Sequence, residues 1–183
     1  GRAGVRGHRA IEARQARGLK RSNAQTPNRP THLPMTTAAK PLPDQVLSIE
    51  INAPIDRVWR EITKTGAVQR ASNNTVLESP MTQGSKLRYY SPSKKRVFVV
   101  GEIVVISAPR KFSHTWKFTM SPDEPTLVTW ELSELPGGRC RVTLTHTRWT
   151  QAHKMYKNVG KTWREILRLL KLELETGDID VRT

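Results

Sequence analysis

Two histidines and several aromatic residues occupy alternate positions in three segments of the chain. Side chains of these types, gathered on one surface, could bind a ligand or take part in chemistry. His114, Trp116 and Phe118 form one series, Trp130 lies in a second and His146 in a third. Residues two apart lie on the same face of a strand. An apolar interior with a few polar groups is typical of a small-ligand site, and a pair of imidazoles could act as general acid and base.

The sequence offers these histidines no partner for covalent or metal chemistry. The hydroxyl residues beside them alternate with them and are expected to face away. There is no glycine-rich phosphate loop, no His-Glu-x-x-His motif, no closely spaced carboxylate pair and no metal-ligand spacing among the other histidines. We therefore predict no catalytic residue, no metal site and no cofactor. Each histidine taken singly is better interpreted as a hydrogen-bonded core residue.

A long helix is the element that must close this interior. In residues 155–176, apolar residues recur at steps of three and four, which predicts an amphipathic helix of about six turns. The residues of this stripe are Met155, Val159, Trp163, Ile166, Leu170 and Leu174. Gly177 follows as the predicted stop, because glycine accepts the left-handed conformation that often ends a helix.

The residues before this helix alternate between apolar and polar, which predicts strands. Residues 45–52 form the first predicted strand, and a short amphipathic helix follows Pro54 and ends near Gly66. The later predicted strands are 72–77, 86–91, 97–107, 112–120, 127–135 and 139–149. Short loops between successive strands imply antiparallel pairing. The order of elements predicts an α+β domain.

The helical spacing of the long helix and the alternation of the strands together define a set of candidate ligand-binding residues, on the surfaces where sheet and helix are expected to face each other. These are Trp59, His114, Trp116, Phe118, Trp130, His146, Val159, Trp163 and Leu170. Arg88 and Tyr90 share a strand face and are added because, if that face is the inner one, they could hold a carboxylate or a phenol.

Composition limits the class of protein. The 183 residues suit one domain. They carry 31 basic and 16 acidic side chains, a net charge of +15, of which residues 1–34 contribute 8 − 1 = +7. Cys140 is the only cysteine, which excludes an internal disulfide. No apolar run reaches the roughly 18 residues of a membrane span, so we predict a soluble, cytoplasmic protein.

The basic N-terminal segment has little apolar content, and we expect residues 1–44 to be a disordered tail. The Met35 start-like sequence also suggests that residues 1–34 lie upstream of the natural start. A transit peptide, or an arm that touches nucleic acid through its arginines, is the alternative; no other nucleic-acid contact is expected. The domain is predicted to span 45–177, followed by a short tail, 178–183.

The order and spacing of several segments resemble the SRPBCC (START/Bet v 1-like) superfamily, and within it the group named after the activator of heat-shock-protein-90 ATPase. The segments are 48–59, 101–110, 115–116, 128–132, 142–146 and 163–171. The resemblance covers roughly residues 45–177. It implies a helix-grip fold: a curved antiparallel sheet of about six or seven strands wraps the long C-terminal helix, with a short helical segment after the first strand. It also implies a deep apolar cavity between sheet and helix.

Three functions follow from this interpretation. The first is a module that binds a small hydrophobic or aromatic molecule in the cavity. The second is a chaperone-associated or other protein-partner module that acts through its surface. The third is a cyclase- or hydrolase-like enzyme of the same fold, although the lack of a positioned nucleophile argues against a catalytic role.

Overall fold

The computed structural model describes residues 39–177. The predictions for 1–38 and 178–183 lie outside the described residues. Residues 40–43, which we expected to belong to the tail, pair with the segment that precedes the last helix: Pro41 bridges Thr150, and the Leu42 N–H donates to the carbonyl of Trp149 at 2.9 Å.

Eight strands in the described part of the chain form one curled antiparallel sheet. The strands are β1 (Gln45–Ile51), β2 (Val68–Gln69), β3 (Thr75–Glu78), β4 (Lys86–Tyr90), β5 (Val97–Ser107), β6 (Lys111–Phe118), β7 (Thr126–Leu135) and β8 (Arg139–Thr147). Their spatial order is β1-β8-β7-β6-β5-β4-β3-β2. The prediction of an α+β helix-grip fold is confirmed. The additional strand, β2, has two residues, too few to show an alternating pattern.

The helix α1 (Ile55–Ile62) follows β1 and leads to β2, at the opposite edge of the sheet. It buries Ile55, Val58 and Ile62, which recur at steps of three and four. The Gln69 side chain then donates to the carbonyls of Ile62, at 3.4 Å, and Lys64, at 2.8 Å. These bonds fasten β2 to the end of α1.

The helix α2 (Tyr156–Thr176) packs its apolar face into the core formed with the sheet. Five of the six residues of the predicted stripe are buried, and Met155 is partly buried just before the helix. The helix ends where the sequence predicts. Gly177 has a φ of 76° and its N–H donates to the carbonyl of Glu173 at 2.9 Å.

The strands β5 and β6 approach each other closely beside a shift in their pairing register. The pairing register shifts between Ile103 and Val105. At this point the Thr115 hydroxyl accepts the N–H of Glu102 at 2.9 Å. A Cβ placed on Gly101 would lie 1.9 Å from the Thr115 carbonyl oxygen. The two backbones therefore approach each other more closely than any side chain at position 101 allows.

Candidate ligand-binding site

A pocket of about 580 Å³ lies between the inner face of the sheet and α2, with the end of α1 at one side. Six aromatic residues contribute to its wall: Tyr89, Phe98, Trp116, Phe118, Trp130 and Trp163. Aliphatic residues and methionines complete the apolar surface: Ile62, Ala71, Val99, Met120, Met155, Val159, Ile166 and Leu170. Met120 is 93% exposed, so it lies at the mouth of the pocket and not in its depth.

The polar residues of this pocket lie on the side of α1 and β3, on the first half of α2, and in the loop after β6. They are Glu61, Gln69, Ser72, Asn73, Thr75, Ser121, Asn158 and Thr162. The Tyr89 phenol is buried and makes no hydrogen bond with any residue in 39–177. Burial raises the pKa of Tyr89, because the phenolate loses solvation. The phenol therefore stays protonated and can donate a hydrogen bond.

The structure brings six of the eleven candidate residues together on the pocket wall: Trp116, Phe118, Trp130, Val159, Trp163 and Leu170. It places the other five elsewhere: Trp59, Arg88, Tyr90, His114 and His146. Trp59 is partly buried and packs against the core beside the wall, while Ile62, one turn further along α1, lines the pocket.

On β4 the condition attached to Arg88 and Tyr90 is not met, because the inner face is the other one. Strand alternation turns Leu87 and Tyr89 inward, so that Arg88 is exposed, and the register shifts at Tyr90. The alternation of Leu87 and Tyr89 was a readable signal for the inner face. Tyr89 is thus a pocket residue that sequence reasoning missed.

His146 lies behind the pocket wall in a hydrogen-bond network that uses both of its ring nitrogens. The indole N–H of Trp163 donates to Nδ1 at 2.9 Å, so Nδ1 is unprotonated and Nε2 carries the hydrogen. Nε2 then donates to the Thr126 hydroxyl at 2.7 Å, and this hydroxyl donates to the carbonyl of Trp116 at 3.0 Å. The network joins α2 to β8, β7 and β6.

Burial makes the His146 ring a structural group and not an acid–base one. Desolvation is the main cause that lowers the pKa of His146 to about 3, and His114 and His153 lower it further. The ring is therefore neutral at physiological pH. Because neither nitrogen is available to a ligand, the network opposes a catalytic role for His146.

His114 is also fully buried, but only one of its nitrogens is paired. Nδ1 lies 3.0 Å from the carbonyl oxygen of Thr115 and must carry the hydrogen, since a carbonyl can only accept. Nε2 has no partner among the described residues. Burial lowers the pKa of His114 to about 4, so Nε2 presents an unused lone pair.

Thr126→Val is expected to destabilise the domain by about 2–3 kcal/mol. The change keeps the shape of the side chain but leaves the Nε2–H of His146 and the carbonyl of Trp116 without their partner, and an unpaired buried group costs about 1–3 kcal/mol. Urea unfolding measures the effect. Thr129→Val on the same strand is the matched control, because within residues 39–177 its hydroxyl pairs only with Ser113, at 2.9 Å on the opposite face. Equal losses in the two variants would contradict the role of the network.

The outer face of α2 carries a row of cations at helical spacing. Lys154, just before the helix, is followed by Lys157, Lys161 and Arg164, all of them exposed. None of the four makes an ion pair within residues 39–177. The first turn of α2 contains no acidic residue. Like charges four residues apart, and cations near a helix N-terminus, are both unfavourable for the helix, so this row does not serve helix stability.

Two other classes of site are absent from the described region. No group of three or more His, Cys, Asp or Glu side chains within residues 39–177 is placed to hold a metal ion. Cys140 is free and buried, and desolvation raises the pKa of its thiol, which makes it a poor nucleophile.

Neither helix of residues 39–177 has the length and apolar character that crossing a membrane requires.

A curled antiparallel sheet closed by a long C-terminal helix, with a pocket between them, defines the helix-grip class of the SRPBCC superfamily. The chain belongs to the family described as activator of Hsp90 ATPase homolog 1-like protein, whose model matches residues 52–175. Both the superfamily and the family predicted by resemblance are confirmed. No curated protein matches the sequence.

Solved structures share this fold at low sequence identity. An HSP90 activator from Plasmodium falciparum is 19% identical, with a TM-score of 0.61 over 72% of this chain and 95% of its own. CalU16 from Micromonospora echinospora is 19% identical, with a TM-score of 0.59 over 76% and 83%. The Aha1 dimer from Colwellia psychrerythraea is 14% identical, with a TM-score of 0.63 over 75% and 100%. At these identities the likeness concerns the fold alone.

Proposed function

We propose that the domain binds a small apolar or aromatic molecule in the pocket between the sheet and α2. The supporting observation is the pocket itself, about 580 Å³ with six aromatic residues in its wall. This volume falls within the range of roughly 300–1,000 Å³ that is usual for small-ligand sites. Aromatic walls favour flat ligands, because offset and edge-to-face contacts add to the burial of apolar area.

The indole N–H groups provide the direct test. Trp116, Trp130 and Trp163 line the pocket, whereas Trp59 and Trp149 do not. In a two-dimensional NMR titration with apolar and aromatic compounds, the first three indole signals are expected to shift together and saturably, while the other two move little. If no indole signal moves with any compound of a broad panel, the proposal fails.

Thr162→Trp is expected to weaken ligand binding at least tenfold with little loss of stability. Thr162 is exposed yet lines the pocket from α2, so a larger side chain there can occupy ligand space without entering the packed core. Calorimetric titration of a compound found by NMR measures the effect. Lys161→Trp is the matched control, because the neighbouring residue lies on the outer face of the helix. Undiminished affinity in Thr162→Trp would place the ligand outside the pocket.

The second candidate is a module that docks on an acidic protein surface. The row of cations on and just before α2, which makes no ion pair with the residues that the structure describes, favours it, and one relative of the same fold is called an HSP90 activator. The two candidates use different faces of α2. A partner that docks on the cation row should therefore tolerate Thr162→Trp, which separates it from a ligand held in the pocket.

A further inference from the structure

Three aromatic side chains that carry unpaired polar groups pack against one another beside the pocket: Tyr89 and Trp116 line its wall, and His114 lies behind them. The rings of Tyr89, His114 and Trp116 contact one another, with centroid separations of 6.0 Å for Tyr89–His114, 5.2 Å for Tyr89–Trp116 and 5.8 Å for His114–Trp116. The His114 Nε2 and the Trp116 Nε1 are buried without a partner among the described residues. The Tyr89 hydroxyl makes no hydrogen bond with the described residues either, but it is not one of the fully buried unpaired atoms and keeps some accessible surface. Buried polar groups are nearly always paired in native proteins, so two unpaired buried nitrogens on neighbouring rings, beside a third unpaired polar group, require an explanation.

The three groups differ in hydrogen-bonding capacity. The Trp116 indole can only donate. The His114 Nε2 can only accept, because the contact to the Thr115 carbonyl holds the hydrogen on Nδ1. The Tyr89 hydroxyl can do both. A single oxygen that both accepts and donates would therefore complement the set.

We propose that this trio is a polar subsite for the hydroxyl group of an aromatic ligand, a phenol in chemical class. The inference rests on the proposed ligand-binding function and adds the substituent that the pocket selects. The ligand oxygen accepts from the Trp116 indole and donates to the His114 Nε2. The Tyr89 hydroxyl supplies a further bond to the same oxygen.

Other polar substituents satisfy the trio less well. A ketone, an ether or a carboxylate accepts from Trp116 but leaves the His114 lone pair unpaired, and an ammonium group has no acceptor for Trp116. A carboxylate would also bring an uncompensated charge into apolar surroundings, which is strongly unfavourable. Only a group with both functions pairs all three side chains.

Access to the subsite requires the Tyr89 ring to move. Tyr89 and Trp116 line the pocket, whereas His114 lies behind them and is fully buried. No hydrogen bond with the described residues anchors the Tyr89 hydroxyl, so rotation of this side chain breaks none. The free pocket is thus closed over the subsite and opens when the ligand enters.

The experiment compares two probes of the same ring system, 2-naphthol and 2-methoxynaphthalene, with the full chain. The methoxy group can accept but not donate. We expect 2-naphthol to bind about tenfold more tightly, which corresponds to about one neutral hydrogen bond. The ¹⁵N resonance of the His114 Nε2 should shift with 2-naphthol and stay in place with 2-methoxynaphthalene.

Two variants assign the preference to the trio. His114→Phe should bring the affinities of the two probes to within about twofold of each other, and Tyr89→Phe should weaken 2-naphthol about fivefold. Tyr90→Phe is the matched control on the same strand, outside the pocket, and should change neither. If His114→Phe does not fold, the subsite is tested by the affinity of Tyr89→Phe for 2-naphthol and by the ¹⁵N shift of the His114 Nε2 in the unmodified chain.

The outcomes separate this inference from the proposed function. Equal affinities for the two probes in the unmodified chain, with the pocket indoles shifting, would overturn the polar subsite and leave ligand binding intact. The His114 Nε2 signal could also be that of a hydrogen-bonded nitrogen before any ligand is added, and stay unchanged with 2-naphthol. This result would assign the partner of Nε2 to a buried water and overturn the inference. If neither probe nor any other compound moved the pocket indoles, both proposals would fall.

Discussion

Gly101→Ala is expected to destabilise the domain by about 3 kcal/mol or more. The added Cβ would lie 1.9 Å from the Thr115 carbonyl oxygen and 2.9 Å from its carbonyl carbon. Backbone atoms cannot rotate away as a side chain can, so relief requires β5 and β6 to separate next to the register shift. Overpacking of a core typically costs about 1–3 kcal/mol, and a backbone clash at a strand pair belongs at the upper end. Urea unfolding of the variant measures the loss.

Gly160→Ala is the matched control for this prediction. Its Cβ would lie 3.1 Å from the Nε2 of Gln45, the end of a flexible side chain. This group donates to the carbonyl of Tyr156 at 2.7 Å, and the shift of a few tenths of an ångström that the Cβ requires is small enough to keep that bond. Alanine also favours a helix interior over glycine by about 1 kcal/mol. The net change in the free energy of unfolding should therefore stay within about 1 kcal/mol of zero. Comparable losses in both variants would show that Gly101 has no special role.

Acidification from pH 7 to pH 5.5 is expected to lower the free energy of unfolding by about 2–3 kcal/mol. The pKa values of His114 and His146 in the folded protein are about 4 and about 3, against about 6.5 in the unfolded chain. In this interval the unfolded chain takes up protons and the folded protein does not. The stabilisation is fully present above about pH 6.5 and is lost as the pH falls toward the folded-state values.

The measurement is a series of urea unfolding curves between pH 7 and 5.5, accompanied by an NMR titration of both imidazoles in the folded protein. The carboxylates Glu50 and Glu165 titrate below this interval, since arginine partners hold their pKa values below the usual one. Desolvation raises the pKa of Glu173, so any proton that this group takes up on acidification acts in the opposite direction to the histidines. Both histidine signals should stay those of neutral rings throughout. A stability that does not change with pH, or an imidazole that titrates near 6.5, would contradict the burial argument.

Trp163 belongs both to the pocket wall and to the hydrogen-bond network of the buried His146, so the stability of the domain and the shape of the pocket depend on the same residue. The Trp163 ring lines the pocket on α2, and its indole N–H holds His146 in the core. A change at Trp163 would therefore alter the pocket wall and the histidine network at once. Thr162→Trp tests the pocket without this complication, because the one hydrogen bond of the Thr162 side chain in the described part of the chain goes to the Asn158 carbonyl, at 3.0 Å.

The sequence alone determined the periodic features of this protein. The spacing from Val159 to Leu174 placed one face of α2 in the core, and Gly177 marked its end. Alternation on β6, β7 and β8 assigned His114, Trp130 and His146 to the inner face, and all three are buried. These predictions succeed because a helix repeats every 3.6 residues and a strand every two, so burial of one face is recorded in the order of residues.

Only the tertiary structure decided which inner residues meet a cavity and which are sealed behind its wall. His146 is placed by Trp163 and Thr126, residues 17 and 20 positions away along the chain. The need for Gly101 arises from the approach of Thr115 on the next strand. Pocket volume, hydrogen-bond partners and the pKa values of buried groups depend on neighbours that come together only when the strands pair and α2 closes over them, and no local pattern contains that information.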